Sequence, residues 1–368
     1  MLTYPFKSIS MTEAINLQFK IVDDITKEFK GKEFLTRGDL GVTEEWNKPF
    51  ATKKAENVIA SIFDAEACLL VRGAGSGAIR FGLHALLKGG EKVLVHKAPI
   101  YTTTAISLEM LNITAVEADY NDNLSIEETL KKNPDIRGAI IQYARQKLED
   151  CYDVRKVVEI IKNTRDIPIL TDDNYVVMKV KEIGVQCGAD LSCFSSFKIL
   201  GPEGIGVIVG SKKYIDRLAK ESYSGGMQTQ GHEALDVLRG LVYAPVALAV
   251  QSQVNEECLR RLNEGEIEGI KNAFLANAQS KVLLVEFEEE IAQKVLTEAE
   301  QLGAAPYPVG AESKYEIAPM FYRISGTVRR TDPLLEYRMI RINAMRAGAD
   351  TVLRILKEAL ERVRKQCL

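Results

Sequence analysis

The sequence is short of the residues that build several familiar kinds of site. Three histidines, at 84, 96 and 232, are spread through 368 residues, and none stands at ligand spacing from another. A histidine-rich metal centre is therefore not expected. Six cysteines lie at 68, 151, 187, 193, 258 and 367, with no Cys-x-x-Cys pair among them. That spacing suggests neither a zinc cluster nor a disulfide framework, and the cytoplasm is the expected compartment. No sign of charge dominates: 48 Lys and Arg stand against 51 Asp and Glu, for a net −3. A broad basic field of the kind that holds nucleic acid is missing, so no nucleic-acid partner is expected. The longest apolar stretch, 241–250, contains Pro245 and is too short to span a bilayer. Residues 1–10 lack a basic start followed by an apolar run. Neither a membrane association nor a signal peptide is expected.

What is present is ordinary in amount: 46% hydrophobic and 27% charged residues, enough for a soluble chain of about two domains. Its order is more informative. Residues 1–50 read as an N-terminal arm, with a helix over 12–29 marked by Ala14, Leu17, Ile21, Ile25 and Phe29. Another helix is predicted over 53–63. Strands over 68–71, 92–95, 115–117, 138–142 and 168–171 then alternate with helices over 76–87, 102–111, 125–132 and 154–163. Ser125 and Glu128 are expected to open the third of these helices as a capping box. Strands over 191–194 and 207–209 complete the set. Continuous apolar strands followed by helices predict an α/β fold with a mostly parallel sheet covered on both faces. Beyond a helical stretch over 231–262, strands over 281–287, 321–324 and 339–342 and helices over 291–302 and 349–363 predict a smaller α+β domain. The expected organisation is an arm (1–50), a large domain (51–263) and a small C-terminal domain (264–368).

In such sheets, ligands bind beyond the carboxyl ends of the strands. That rule selects 73–77, 99–101, 142–145 and 172–175. The first is a glycine cradle, Gly73-Ala74-Gly75-Ser76-Gly77, between a strand and a helix. Its backbone can approach an anion at the helix N-terminus. A dinucleotide turn and a plain tight turn fit the same glycines, although the next strand ends in His96-Lys97 with no acid to hold a ribose. At the second, Tyr101 can lie on a flat ring or pack on the sheet edge. The fourth pairs Asp172 with Asp173; two acids at a strand tip usually have a cationic partner, and a pyridinium nitrogen would be one.

The chain is organised around 195–210, where Lys198 sits between an apolar strand and a turn with Gly201, Pro202, Gly204 and Gly206. A lysine on a hairpin is ordinarily a surface residue. A lysine desolvated at the mouth of a site is instead a Schiff-base former. Arg341, in a strand of the small domain, has the planar fork that suits a carboxylate, with Arg323, Arg338 and Arg346 as competitors.

Taken in order, glycine cradle, aromatic, acid, lysine with Gly-Pro-x-Gly-x-Gly and C-terminal arginine, the chain resembles the fold-type I enzymes that use pyridoxal 5′-phosphate (PLP), the aspartate aminotransferase superfamily. Ser195-x-x-Lys198-x-x-Gly201-Pro202-x-Gly204-x-Gly206 looks like the class V branch. The continuation over 207–218 looks like the selenocysteine synthase branch. End to end the chain is similar to a bacterial group, the YhfS-like proteins. The resemblance implies a Schiff base on Lys198, Asp172 on the ring nitrogen, and Tyr175 on the ring hydroxyl. The position of Tyr175 is why Asp172 is preferred to Asp173. Gly75, Ser76, Gly77 and Ser195 would hold the phosphate, Tyr101 would stack on the ring, and Arg341 and Arg145 would bind substrate. Thr229 would reach the phosphate of a partner subunit, since sites in this superfamily lie at a homodimer interface.

The pattern also departs from class V. Phe197 stands where a histidine commonly precedes the lysine, and Tyr101 stands where the stacking residue is usually histidine, as in the cystathionine-lyase branch. No cysteine lies between Cys258 and Arg341, which disfavours cysteine desulfurase activity. The expected function is a PLP-dependent aminotransferase acting on an amino acid or related amine. The alternatives are a PLP lyase working by β- or γ-elimination, a non-catalytic protein of the same fold, and a nucleotide-binding α/β module.

Overall fold

The structure, a computed structural model, describes residues 3–144, 147–222, 226–278, 280–309 and 312–366. The chain divides into two compact units. One comprises Thr12–Tyr143 and Cys151–Pro245; the other comprises Met1–Met11, Ala144–Asp150 and Val246–Leu368.

The first unit begins with helices α1 (Met11–Glu28) and α2 (Phe50–Ile62). It continues through β1 (Ala67–Arg72), α3 (Ala74–Leu86), β2 (Lys92–His96), α4 (Thr102–Met110), β3 (Thr114–Ala118), α5 (Asn123–Lys132), β4 (Ile136–Gln142), α6 (Val154–Thr164), β5 (Ile169–Asp172), β6 (Leu191–Ser195), β7 (Ile205–Gly210) and α7 (Lys212–Glu221). Among the described residues the strands form one sheet in the order β1-β7-β6-β5-β4-β2-β3. Neighbours from β3 through β2, β4 and β5 to β6 run parallel, whereas β7 is antiparallel to both β6 and β1. The connection lengths account for this. Helical crossovers return the chain parallel, but the short turn from β6 to β7 can only reverse it.

The two-residue period of the strands sends side chains to two cores. On β2, Val93 and Val95 pack with Leu83 of α3 and Leu108 of α4, while Leu94 joins Ile126 and Leu130 of α5 and Ile161 of α6. Both faces of the sheet are thereby closed, and access to its interior is confined to the strand ends. The start of α5 differs from the expected capping box. Asp122 is the cap, its carboxylate accepting from the Leu124 N–H at 3.0 Å, and Ser125 instead accepts from the Asp119 N–H. A carboxylate ahead of the first turn both satisfies an orphan donor and complements the helix dipole, so the helix starts two residues earlier.

α8 (Gly231–Asn263) contains Pro245, and the division between the units falls directly after it. The second unit holds β8 (Ile270–Ala278), β9 (Ser280–Phe287), α9 (Ala292–Gln301), β10 (Met320–Arg323), the short helices α10 (Gly326–Thr331) and α11 (Leu335–Arg338), β11 (Met339–Asn343) and α12 (Ala349–Gln366). Its sheet is antiparallel in the order β10-β11-β9-β8. Leu283, Val285 and Phe287 of β9 and Ile340 and Ile342 of β11 form its core with Val295 of α9 and Leu356 and Leu360 of α12. Strand β8 was not foreseen. Among the described residues no helix is long and apolar enough to cross a membrane.

Candidate active site

Lys198 lies in a single 3-10 turn, Ser196–Ile199, directly after β6. Two contacts set that turn. The Ser196 hydroxyl donates to the carbonyls of Pro202 (2.8 Å) and Ile205 (2.9 Å), closing the glycine-rich loop upon itself. Gly206 then lets β7 lie against the start of α3: a Cβ there would stand 2.2 Å from the Ala74 carbonyl oxygen. In the same place the Gly204 carbonyl accepts from the N–H groups of Gly73 (2.8 Å) and Ala74 (3.0 Å). The two glycine motifs, more than a hundred residues apart, are thus packed into one another.

The consequence is felt at the first turn of α3. Gly73 and Ala74 donate to Gly204, and the first internal helix bond runs from the Gly77 N–H to the Gly73 carbonyl at 2.8 Å. The N–H groups of Gly75 and Ser76 have no acceptor within the helix. No side chain caps this end. Two donors without an acceptor among the described residues and the positive end of a helix dipole make a cradle for a phosphate.

Beside the cradle, the Lys198 Nζ donates to Asn174 Oδ1 at 3.3 Å and lies 3.9 Å from the centroid of the Tyr175 ring. Asn174 in turn donates to Asp172 Oδ1 from its side-chain Nδ2 (2.7 Å) and its backbone N–H (3.1 Å). Its Oδ1 also accepts from the Ser195 N–H at 3.1 Å. Asp172, at the end of β5, is buried, and burial raises its carboxyl above the usual range while the Asn174 amide and the Lys198 charge act in the opposite direction. Tyr101, at the start of α4, has its phenol pushed up first by burial and then by the Asp172 carboxylate. Ala74, Tyr175 and Leu200, around the lysine, have left-handed backbones with φ of 53°, 71° and 64°. Non-glycine residues hold that conformation only where the surroundings impose it, and such strain gathers at working sites.

Of the residues expected at the site, Gly75, Ser76, Gly77, Tyr101, Asp172, Tyr175, Ser195 and Lys198 come from the strand ends of one unit. Asp173 follows them in sequence but ends in different surroundings. It is fully buried, and its Oδ2 accepts from the Thr171 hydroxyl (2.8 Å) and the Gly184 N–H (3.2 Å). Its Oδ1 has no hydrogen-bond partner among the described residues, and burial pushes its carboxyl up to about 7. Thr229 is buried as well. Its carbonyl accepts from the Thr52 hydroxyl, and its own hydroxyl has no hydrogen-bond partner among the described residues. Arg341 belongs to the other unit. It donates from Nε to the Arg323 carbonyl at 2.6 Å, lies 4.0 Å from the Tyr322 ring centroid, and lines a cleft of about 370 Å³ with Tyr322, Arg323 and Tyr307. Arg145 lies outside the described residues.

Three residues of the arrangement went unnoticed in the sequence. Asn174 reads as a turn residue after a strand. Ser196 lies beside a serine already assigned. Arg72 pairs through its guanidinium with Glu233 and donates to the Gln228 carbonyl at 3.1 Å, tying the end of β1 to the segment that carries Thr229. A signal was available only for Arg72, a charged residue ending an apolar strand.

An amine, a carboxylate, a phenol ring and an anion cradle together match what PLP requires. Comparison with known proteins agrees with that chemistry. Residues 22–237 match the class-V aminotransferase family, and residues 256–356 match the YhfS-like C-terminal domain. The protein YhfS of Escherichia coli is 50% identical over 361 residues, which is 98% of this chain and 99% of that protein. The crystal structure of the PLP-dependent YhfS superimposes with a TM-score of 0.97, covering 98% of this chain and 100% of that one. A cysteine desulfurase of Wigglesworthia glossinidia brevipalpis is 27% identical over 48% of this chain and 47% of its own length. A carbon–sulfur lyase of Clostridium novyi shares the fold alone, at 18% identity and a TM-score of 0.70 over 96% of this chain and 91% of that one. The chain belongs to the class-V aminotransferase family of PLP-dependent proteins, in the group with a YhfS-like C-terminal domain. It is a PLP-dependent enzyme of fold type I, and its cofactor is pyridoxal 5′-phosphate.

Proposed function

We propose that this enzyme acts on an amino acid or related amine through a Schiff base at Lys198, and that its reaction is transamination. The observation that carries the reading is the linked set of Lys198, Asn174 and Asp172 at 3.3 Å and 2.7 Å. When bound, PLP supplies an aldehyde that captures amines and a ring that accepts electrons from the substrate α-carbon. The residues of the chain do the rest. Lys198 would hold the cofactor through Nζ, and the same amine would serve as the base for the proton on the substrate α-carbon. Asp172 would keep a proton on the ring nitrogen. Tyr101 would cover a ring face, and Tyr175 would meet the ring hydroxyl. The N–H groups of Gly75 and Ser76 and the Ser195 hydroxyl would bind the phosphate; the Gly77 N–H is taken by the Gly73 carbonyl, so Gly77 would serve the cradle through its lack of a side chain, a Cβ there standing 2.1 Å from the Arg72 carbonyl oxygen, and Thr229 would serve the site of a partner subunit. Arg341 and Arg145 orient the substrate carboxylate. The homodimer belongs to this proposal; the exposed apolar residues Ile15, Phe19 and Val22, spaced along one face of α1, support it.

One observation favours elimination as a second reading. The Tyr101 phenol, beside Asp172, carries a proton that it could donate to a departing group on the substrate side chain. The carbon–sulfur lyase of similar fold points the same way. Near-visible absorbance of the holoenzyme against a panel of amino acids separates the two. Conversion to a pyridoxamine-type band with release of a keto acid supports transamination. Ammonia released without a pyridoxamine form replaces it with elimination. A band that no amino acid or amine shifts contradicts both.

A further inference from the structure

Asn174 links four parts of the cofactor site: Lys198, Ser195, Asp172 and the Gly75 position of the cradle. Its Oδ1 accepts from Lys198 Nζ (3.3 Å) and from the Ser195 N–H (3.1 Å), while its Nδ2 donates to Asp172 Oδ1 (2.7 Å). This orientation of the amide is dictated by its partners. Exchanging oxygen and nitrogen would set N–H groups against two donors and an oxygen against a carboxylate. The side chain is also fixed in space. It lies so close to the cradle that a Cβ at Gly75 would stand 2.5 Å from Oδ1 and 2.8 Å from Nδ2. At 8% exposure it has little access to water, so an amide without partners there would be costly.

Its effect on Asp172 is directional. The backbone N–H and the Nδ2 of Asn174 both donate to the same oxygen, Oδ1. Among the described residues no hydrogen bond reaches Oδ2. One oxygen is occupied twice and the other is left to face a ligand. A carboxylate fixed in this way meets a ring nitrogen without first having to reorganise.

We propose that Asn174 is a positioning residue of the PLP site: its amide holds Asp172 so that Oδ2 meets the ring nitrogen, and holds the Lys198 amine in register with it. The proposal rests on the reading that Lys198 and Asp172 are the cofactor's partners. It makes the donor at Nδ2 the decisive atom, which separates it from a space-filling role. Asn174→Asp keeps the shape and the acceptor facing Lys198 and Ser195, but turns the donor facing Asp172 into a second acceptor. Asn174→Ala removes donor and acceptor without adding charge.

The test uses reconstituted holoenzymes, with PLP affinity and the pH midpoint of the near-visible band as readouts and thermal stability as the check on folding. Asn174→Asp should weaken PLP binding by roughly tenfold or more, and Asn174→Ala by less. The aspartate should also move the band's pH midpoint upward by about one unit, because an added carboxylate favours the protonated nitrogen at Lys198. Asp172 from β5 and Tyr175 from the turn after it already stand beside that nitrogen, and Tyr101, just ahead of α4, stands beside Asp172. Wild-type affinity and midpoint in Asn174→Asp would overturn the proposal. Should that variant not fold, undiminished PLP affinity in Asn174→Ala would overturn it equally. Lys198→Ala is run alongside: if it still traps PLP covalently, the underlying assignment of the lysine has failed, a result distinct from either of these.

Discussion

Asp172 and Asp173 are adjacent in sequence, both are buried, and they meet different partners. Asp172 stands beside Lys198, with one oxygen held by Asn174; Asp173 is sealed against Thr171 and Gly184, with one oxygen lacking a partner among the described residues. Replacing Asp172 by Asn should lower kcat by about 100-fold or more, because a preorganised charge is lost where the ring nitrogen would sit. Asp173→Asn should cost less. Steady-state kinetics on both variants decides between them, and the reverse order would exchange their roles.

Asp173 should also be visible in stability. Its folded-state value, pushed up to about 7, lies above the ordinary carboxylate range of about 4. The native state therefore holds this proton more tightly than the unfolded chain does. The contribution to stability is fully present below about pH 4 and is lost as pH rises to about 7. Thermal unfolding across that window should show a decline in wild type that Asp173→Asn flattens. An identical decline in the variant would assign the pH dependence to other groups.

Gly75 is where the cradle meets Asn174, and a single methyl group should disturb both. Gly75→Ala places a Cβ 2.5 Å from Asn174 Oδ1, and Asn174 is itself buried, so the amide has to move. The expected result is roughly a tenfold loss of PLP affinity, with overpacking costing about 1–3 kcal/mol of stability. Fluorescence titration of the apoenzyme with PLP measures the first and denaturant unfolding the second. Full retention of affinity would mean that the cradle and Asn174 act independently.

Arg341→Ala should raise KM for carboxylate-bearing substrates by roughly 10- to 100-fold, with a smaller change in kcat, as expected when a charge-assisted contact to the ground state is removed. Arg341→Lys should recover part of that, because the charge returns without the fork. Substrates lacking the carboxylate are the control. An equal KM increase for those would place the effect in the packing of Arg341 on Tyr322 rather than in substrate binding.

The alternating pattern of the first unit was legible in the sequence because each strand is a short apolar run bounded by turn residues and each helix carries a 3.6-residue stripe. Strand β8 was not, since Ile270–Ala278 includes Asn272 and Asn277 and owes its conformation to pairing with β9. The start of α5 was misplaced because Ser125 and Glu128 formed a plausible capping box while the stronger acceptor, Asp122, stood three residues earlier. At the site, residues with distinctive chemistry, Lys198, Asp172 and the glycines, could be picked out one by one. Asn174 could not, because its importance lies in four hydrogen bonds and a close approach to Gly75 that exist only once β5, β6 and α3 have packed.

Lys198 is the residue on which the proposed chemistry turns, and covalent trapping of the cofactor tests its role most directly. Holoenzyme treated with borohydride should retain PLP after denaturation, attached to the peptide containing Lys198 in mass spectra, and Lys198→Ala should retain none. Cofactor trapped at another residue, or still trapped in the alanine variant, would contradict the assignment of Lys198.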